Sequence, residues 1–202
     1  KISSEVTDAL KGGLKIVYEV PASFNIDDLN CGIDFVDIPS GAKAVLLDWS
    51  SKTVYVISPE DFNKLSLGKN VFPVSYSYKD RSKFIKEPLV SVKSVFDCEI
   101  AGYVLNILSG KPDLQRLYES VLQTAYPVED KKGPVKQLSL FDEIVEDDGS
   151  SKVEECAEKL LAVMAIAKVM NRDIEKDKDL KSLLYEIEFP LVITLDKIER
   201  NG

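Results

Sequence analysis

The side chains of this chain that could carry chemistry are mainly carboxylates, spread along its length. The acids that a fold could gather around a divalent metal ion are Glu19, Asp80, Asp97 and Glu158. Magnesium and manganese ions prefer such oxygen ligands. The sequence contains no histidine, so the commonest general base and the commonest transition-metal ligand are missing. Metal-dependent chemistry on carboxylates is therefore the first possibility to test.

The composition excludes several classes of protein. The 202 residues are 45% hydrophobic, which is enough for a core, and their net charge is −8 without a basic cluster. We therefore expect no autonomous tight binding to DNA phosphates. The cysteines at positions 31, 98 and 156 are few and widely spaced, as expected for reduced thiols. No apolar run has membrane-spanning length and no signal peptide is recognisable, so we expect a cytoplasmic protein without membrane contact.

Hydrophobic patterning predicts strands first and helices later. Runs rich in Val, Ile and Tyr predict strands at 14–20, 33–38, 44–49 and 53–58, and the polar break at 49–52 predicts a hairpin. Ser58-Pro-Glu-Asp61 is a typical helix start. Helical periodicity dominates from residue 95 and predicts closing helices at 152–170 and 180–201. This order favours an α/β or α+β domain with a mixed sheet.

The last helix has an apolar stripe that nothing in the sequence is left to cover. Ile187, Leu191, Leu195 and Ile198 recur at three- and four-residue spacing, and a glycine suited to the cap after a helix follows. We therefore expect the chain to be part of a larger protein.

Several segments resemble family A bacterial DNA polymerases, the DNA polymerase I type. Residues 186–191 (Glu-Ile-Glu-Phe-Pro-Leu) and 198–202 (Ile-Glu-Arg-Asn-Gly) are similar to the entry into the polymerase domain. Residues 78–81 (Tyr-Lys-Asp-Arg) and 95–106 resemble consecutive blocks of the proofreading 3′–5′ exonuclease domain. The resemblance covers nearly the whole chain and implies a ribonuclease-H-like α/β fold, a mixed sheet flanked by helices. It implies an exonuclease domain over 1–182, with a flexible loop at 127–151, and a connecting helix over 183–202.

The resemblance also implies a catalytic site, and here its ligands are incomplete. Such exonucleases bind two divalent metal ions through four carboxylates from three motifs. The first motif, Asp-x-Glu on the first strand, falls on residues 16–20. In one register Val17 replaces the aspartate and Glu19 is kept, and in the other Tyr18 and Val20 replace both acids. Asp80 would be the aspartate of the second motif.

The third motif, Tyr-x-x-x-Asp, carries the largest change. Counting back from residues 188–190 puts Glu155 at the tyrosine and Lys159 at the aspartate. Like charges ~4 Å apart repel by roughly 4 kcal/mol at an effective dielectric constant near 20, and a divalent ion doubles this. We expect a site without metal in which Lys159 approaches Asp80 or Glu19, or a Lys159 that points to solvent. Mg²⁺ or Mn²⁺ would be needed only if rearranged acids kept the nuclease active.

The loop contains a second motif, at positions 137–141. It resembles the pentapeptide with which bacterial polymerases bind the sliding clamp. The glutamine would fix register, and a leucine and an aromatic ring would fill an apolar pocket. The alternative is a short turn whose apolar side chains pack on the domain's own core. The motif residues are Gln137, Leu138, Ser139, Leu140 and Phe141.

The resemblance, with its incomplete ligands, therefore implies a vestigial exonuclease domain that is inactive as a nuclease. Its remaining role would be a structural platform for the polymerase domain of the same chain in replication and repair. The resemblance implies contact with DNA only through the intact polymerase, a monomeric state, and no cofactor. The alternatives are a live nuclease with rearranged ligands and a module that binds the sliding clamp.

Overall fold

The computed structural model describes residues 10, 13–18, 30–64, 73–86, 88–107, 110, 113–127 and 148–201. Their architecture is α/β, with a mixed six-stranded sheet flanked by helices. The strands are β1 (Lys15–Val17), β2 (Cys31–Ile38), β3 (Gly41–Asp48), β4 (Thr53–Ile57), β5 (Val74–Ser75) and β6 (Phe96–Asp97). The predicted α/β class with a mixed sheet is confirmed.

The sheet has the strand order β1-β4-β3-β2-β5-β6. Strands β2, β3 and β4 form an antiparallel meander, and the predicted hairpin at 49–52 joins the last two. Strands β5 and β6 continue the sheet beyond β2 and run parallel to it. At the opposite edge, β1 pairs in parallel with β4. The longest strands therefore lie in the middle of the sheet, and β2 separates the meander from the parallel pair.

Helices cover both faces of the sheet, and several of them begin at a side chain that caps the first turn. The Ser58 hydroxyl accepts a hydrogen bond from the Asp61 N–H (3.0 Å) and starts the first helix. The helices are α1 (Pro59–Lys64), α2 (Tyr78–Arg81), a 3₁₀ turn (Ser82–Phe84), α3 (Cys98–Val104), α4 (Leu114–Leu122), α5 (Ser150–Ile174), α6 (Lys178–Ser182), a π-helical segment (Leu183–Glu188) and α7 (Phe189–Arg200). None of the helices in these ranges is long and apolar enough to cross a lipid bilayer.

The core consists of two apolar clusters, because alternate side chains of a strand point to opposite faces of the sheet. Helix α5 supplies more of the first cluster than any other element, while α1, α2 and α7 contribute to the second. The helix α5 lies very close to β2 at Gly32. A Cβ atom there would be 2.8 Å from Leu160 Cδ1 and from Met164 Sδ. This close approach brings residues of α5 next to Asp34 on the central strand.

Candidate functional site

The candidate site is a cleft of about 740 Å³ that opens beside the central strand β2. The cleft is bounded by β2, the residue after β5, and parts of α2, α4 and α5. Its lining residues are Asp34, Tyr76, Arg81, Asp113, Leu114, Gln115, Tyr126, Lys159, Leu160 and Val163. Acids, bases and aromatic rings are therefore mixed in one concave surface.

An ion pair between Asp34 and Arg81 dominates the charges of this cleft. Arg81 Nε donates to Asp34 Oδ1 (2.6 Å) and Arg81 Nη2 donates to Asp34 Oδ2 (3.1 Å), so the pair is bidentate. Arg81 Nη2 also donates to the Phe35 carbonyl oxygen (2.6 Å). The side chain of Asp34 is only 15% exposed, and that of Arg81 is 34% exposed. Burial lowers the pKa of Arg81, but the hydrogen bonds and charge of Asp34 more than offset this, and the net shift is upward.

The remaining contacts of Asp34 use the same two oxygens. Its Oδ1 accepts a hydrogen bond from the Phe35 N–H (2.7 Å), and its Oδ2 accepts one from Cys156 Sγ (3.4 Å). Burial, followed by the charge of Asp34, raises the pKa of the Cys156 thiol well above its usual range. Cys156 is therefore a neutral donor to Asp34 rather than a thiolate nucleophile.

Lys159 lines the cleft, but its partner differs from the one expected. Its ammonium group pairs with Glu155, one helical turn earlier. Asp80 accepts instead from Lys83 Nζ (2.9 Å) and from the Ser77 hydroxyl (3.3 Å), and it lines a different groove. The prediction that Lys159 approaches Asp80 is therefore wrong, because α2 directs Arg81 and not Asp80 toward β2.

The segment expected to carry the first motif lies at the edge of the sheet. Val17 ends β1, and the strands β4, β3 and β2 stand between β1 and β5. Strands are about 4.8 Å apart, so this edge is far from α2 and Asp80. Tyr18 is exposed and lines another cleft, while Glu19 and Val20 lie outside the described residues. The sequence did not reveal this, because a short apolar run gives no sign of which strand it will pair with.

Asp97 and Glu158, the other acids that could bind a metal ion, do not complete a site. Asp97 is buried and accepts hydrogen bonds from the backbone N–H groups of Ser77 (3.1 Å), Tyr78 (2.8 Å) and Glu99 (2.9 Å). Burial raises the pKa of Asp97 to about 6, although these hydrogen bonds act to lower it. Glu158 is exposed on α5. Within the described ranges, no three Asp, Glu, Cys or His residues are grouped so that they could hold a metal ion.

The residues around Asp34 do not suit a divalent cation. The cleft brings Asp34, Arg81 and Lys159 to one surface, and the guanidinium group engages both oxygens of the carboxylate. Sequence reasoning missed Asp34 and Arg81. One signal was available, since Asp34 is an acidic residue between the apolar residues Ile33 and Phe35 of β2, both of which are buried. No known protein-family model matches the chain.

Proposed function

We propose that this chain is a vestigial 3′–5′ exonuclease domain of a bacterial DNA polymerase I, without nuclease activity and retained as a structural platform for the polymerase domain. The observation that carries the proposal is the bidentate ion pair between Arg81 and Asp34. It puts a fixed cation of the protein on the acid of the central strand, where this class of enzyme requires metal ions.

The strand order supports the ribonuclease-H-like part of the proposal. That fold has an antiparallel meander of three strands followed by two strands that lie beside the first and parallel to it. The order β4-β3-β2-β5-β6 and its strand directions agree with this description. Strand β2 then takes the place of the first strand, and β1 is an addition at the edge. The Asp-x-Glu motif would fall on residues 34–36, with Asp34 as the retained aspartate and Val36 in place of the glutamate.

The balance of charge supports the loss of nuclease activity. Two divalent ions bring four positive charges, which the family's four carboxylates neutralise. In the cleft Asp34 is already neutralised by Arg81, and the ammonium group of Lys159 pairs with Glu155. Asp80, in the neighbouring groove, pairs with Lys83. A metal ion would have to displace the Arg81 guanidinium from a carboxylate that is largely buried. That exchange leaves a cation without its partner and is unfavourable.

A degradation assay on 5′-labelled single-stranded DNA tests the proposal. With Mg²⁺ or Mn²⁺ present, the chain should release no nucleotides above the level of an Asp34→Asn control. The rival function, a live nuclease with rearranged ligands, predicts metal-dependent shortening from the 3′ end. If Asp34→Asn or Asp80→Ala abolished such shortening, the activity would belong to this domain and the proposal would fail.

A second candidate function rests on the pentapeptide at positions 137–141, which lies outside the described residues. Its match at every position to the clamp-binding pattern, between charged flanks, favours a peptide that binds the bacterial sliding clamp. A pull-down with purified clamp tests it. Leu140→Ala with Phe141→Ala should abolish capture, whereas Ile144→Ala with Val145→Ala, just outside the motif, should not. Equal capture of both double variants would show that the motif does not bind the clamp.

A further inference from the structure

A buried carboxylate ties the start of α2 to the start of α3. Asp97 ends β6 and is only 2% exposed. Its Oδ1 accepts hydrogen bonds from the backbone N–H groups of Ser77 (3.1 Å) and Glu99 (2.9 Å), and its Oδ2 accepts one from the Tyr78 N–H (2.8 Å). The bond from Glu99 is the usual cap of the helix that follows. The other two bonds reach 20 and 19 residues back along the chain, so they serve a different element, α2.

The two N–H groups that Asp97 binds at this distance belong to the turn from which α2 starts. Ser77 has a left-handed φ of 53°, a conformation that residues other than glycine rarely adopt. Its hydroxyl donates to Asp80 Oδ2 (3.3 Å), so the cap of α2 comes from the Asp97 carboxylate. The Ser77 carbonyl oxygen accepts from the Arg81 N–H (3.0 Å). The turn that Asp97 holds therefore sets the place of Arg81 one helical turn later.

Helix α2 is too short to keep its own orientation. It has four residues, whereas an isolated helix shorter than ~12–15 residues is marginal in water. The Tyr78 ring is buried and packs edge to face on Phe35 of β2, with 5.7 Å between the ring centroids. This one ring contact fixes the distance of the helix from the sheet but leaves the helix free to pivot about the ring. The two hydrogen bonds to Asp97 remove this freedom.

The ion pair at the other end of α2 needs a helix that is fixed in this way. Arg81 places Nε on Asp34 Oδ1 (2.6 Å), and it places Nη2 on Asp34 Oδ2 (3.1 Å) and on the Phe35 carbonyl oxygen (2.6 Å). A planar guanidinium group meets three acceptors at once only from a narrow range of positions. A small pivot of α2 would therefore break at least part of the ion pair.

We propose that Asp97 is the positioning residue for Arg81, and that its carboxylate holds the start of α2 so that the guanidinium group reaches Asp34. The inference rests on the proposed function, in which Arg81 takes the place of metal ions. Asp97 acts through the backbone of α2. An acid that the sequence placed among the possible metal ligands therefore serves to keep the protein's own cation on the central strand.

A second set of contacts reaches α2 and the turn after it from α7. Lys79 pairs with Glu199 (2.7 Å), and the Ser82 hydroxyl donates to Asp196 (2.6 Å). Arg200 belongs to the same set, since it donates to the Asp196 carboxylate and to the Ser82 carbonyl oxygen.

Arg81 and Arg200 together distinguish two roles for Asp97. If Asp97 merely supported this whole region, its loss would free both arginines from their partners. If Asp97 positions α2, its loss should free Arg81 alone, because the bonds of Arg200 to α7 and to the segment after α2 do not involve the turn at Ser77.

Arginine labelling with phenylglyoxal, followed by mass spectrometry of peptides, tests the inference. At about pH 8 Asp97 is ionised, because burial raises its pKa only to about 6. Arg116, whose side chain is 79% exposed, should react fastest and serves as the internal reference. In Asp97→Ser the new hydroxyl can still cap α3, but the bonds to the start of α2 are lost. Arg81 should then be labelled several-fold faster than in the parent, with Arg200 unchanged.

Asp177→Ser is the matched control, because Asp177 caps α6 by accepting from the Asp179 N–H (3.0 Å) and the Leu180 N–H (3.1 Å). This variant should leave Arg81 as slow as in the parent. Unchanged labelling of Arg81 in Asp97→Ser would overturn the inference, as would equal increases at Arg81 and Arg200.

Amide hydrogen exchange adds a measurement that needs no variant of Asp97. In Arg81→Gln, the amides of Ser77 and Tyr78 should exchange as slowly, relative to the amides of β3, as they do in the parent, because their acceptor is still present. Faster exchange of both would overturn the inference, since it would show that the ion pair with Asp34 positions α2. Labelling and exchange are measured without divalent metal ions, so metal-dependent nuclease activity of the parent would refute the proposed function without changing these results.

Discussion

Replacing Arg81 should show how much its ion pair with Asp34 contributes to the free energy of unfolding. The variant Arg81→Gln removes the charge and both hydrogen bonds to the carboxylate, and it also removes the bond to the Phe35 carbonyl oxygen. The Asp34 carboxylate, whose side chain is 15% exposed, is then left without a cation. The variant Asp34→Asn removes the other charge and keeps a hydrogen-bond acceptor.

The expected loss of stability follows from the burial of the two groups. Removing one partner of a fully buried ion pair costs about 3–5 kcal/mol. Because the Arg81 side chain is 34% exposed, water screens part of the interaction, and we reduce the figure to about 2 kcal/mol. The double variant leaves two neutral amides that can hydrogen-bond to each other. We therefore expect a coupling free energy of about 1.5 kcal/mol between the two sites.

Urea unfolding at pH 7.5 of the parent, the two single variants and the double variant measures this coupling. The pair Lys176 and Asp173, both largely exposed, is the matched control and should couple by less than about 0.5 kcal/mol. Additive effects of Arg81→Gln and Asp34→Asn, within error, would mean that the guanidinium does not compensate the charge of Asp34.

Three further predictions concern other positions of the fold. Gly32→Ala should lower the free energy of unfolding by about 1–3 kcal/mol in urea titrations, because the new Cβ would lie 2.8 Å from Leu160 Cδ1. The pKa of Asp97 is raised to about 6 mainly by burial, so the folded state holds its proton more tightly than the unfolded state does. Parent stability, relative to Asp97→Asn, should fall as pH rises from about 4 to 6 and then level off; a rise over this range would contradict the assignment. Arg200 donates to the Asp196 carboxylate and to the carbonyl oxygens of Ser82, Ile85 and Lys86. Arg200→Lys should lower the free energy of unfolding by about 2 kcal/mol, since one ammonium group cannot reach all four acceptors, and an unchanged urea midpoint would show that these bonds are dispensable.

Local sequence patterns predicted much of the fold. The polar break at 49–52, the Ser58 cap and the periodicity of the closing helices each depend on residues a few positions apart. The structure confirms the hairpin between β3 and β4, a helix that begins at Pro59, and the helices of the last fifty residues with somewhat different ends. Such signals are readable because hydrogen bonds and side-chain contacts of these elements are short in sequence.

The residues that form the candidate site could not be predicted from local sequence patterns. Asp34 and Arg81 are 47 residues apart in sequence, and their contact depends on β5 lying beside β2. Residues 14–20 look like a strand, but nothing local indicates that β1 pairs with β4 at the edge and not in the centre. Lys159 lines the cleft, but its ion pair is with Glu155, one helical turn away, and not with Asp80. The long-range pairing of strands therefore determines which acidic residue lies on the central strand, beside the cleft.

We propose that a cation of the protein, the Arg81 guanidinium, takes the place of metal ions at Asp34. Calorimetric titration of Mn²⁺ into the parent chain and into Asp34→Asn tests it most directly. We expect no saturable binding up to roughly millimolar Mn²⁺ and the same heats for both proteins. Saturable binding in the micromolar range that Asp34→Asn abolishes would contradict it.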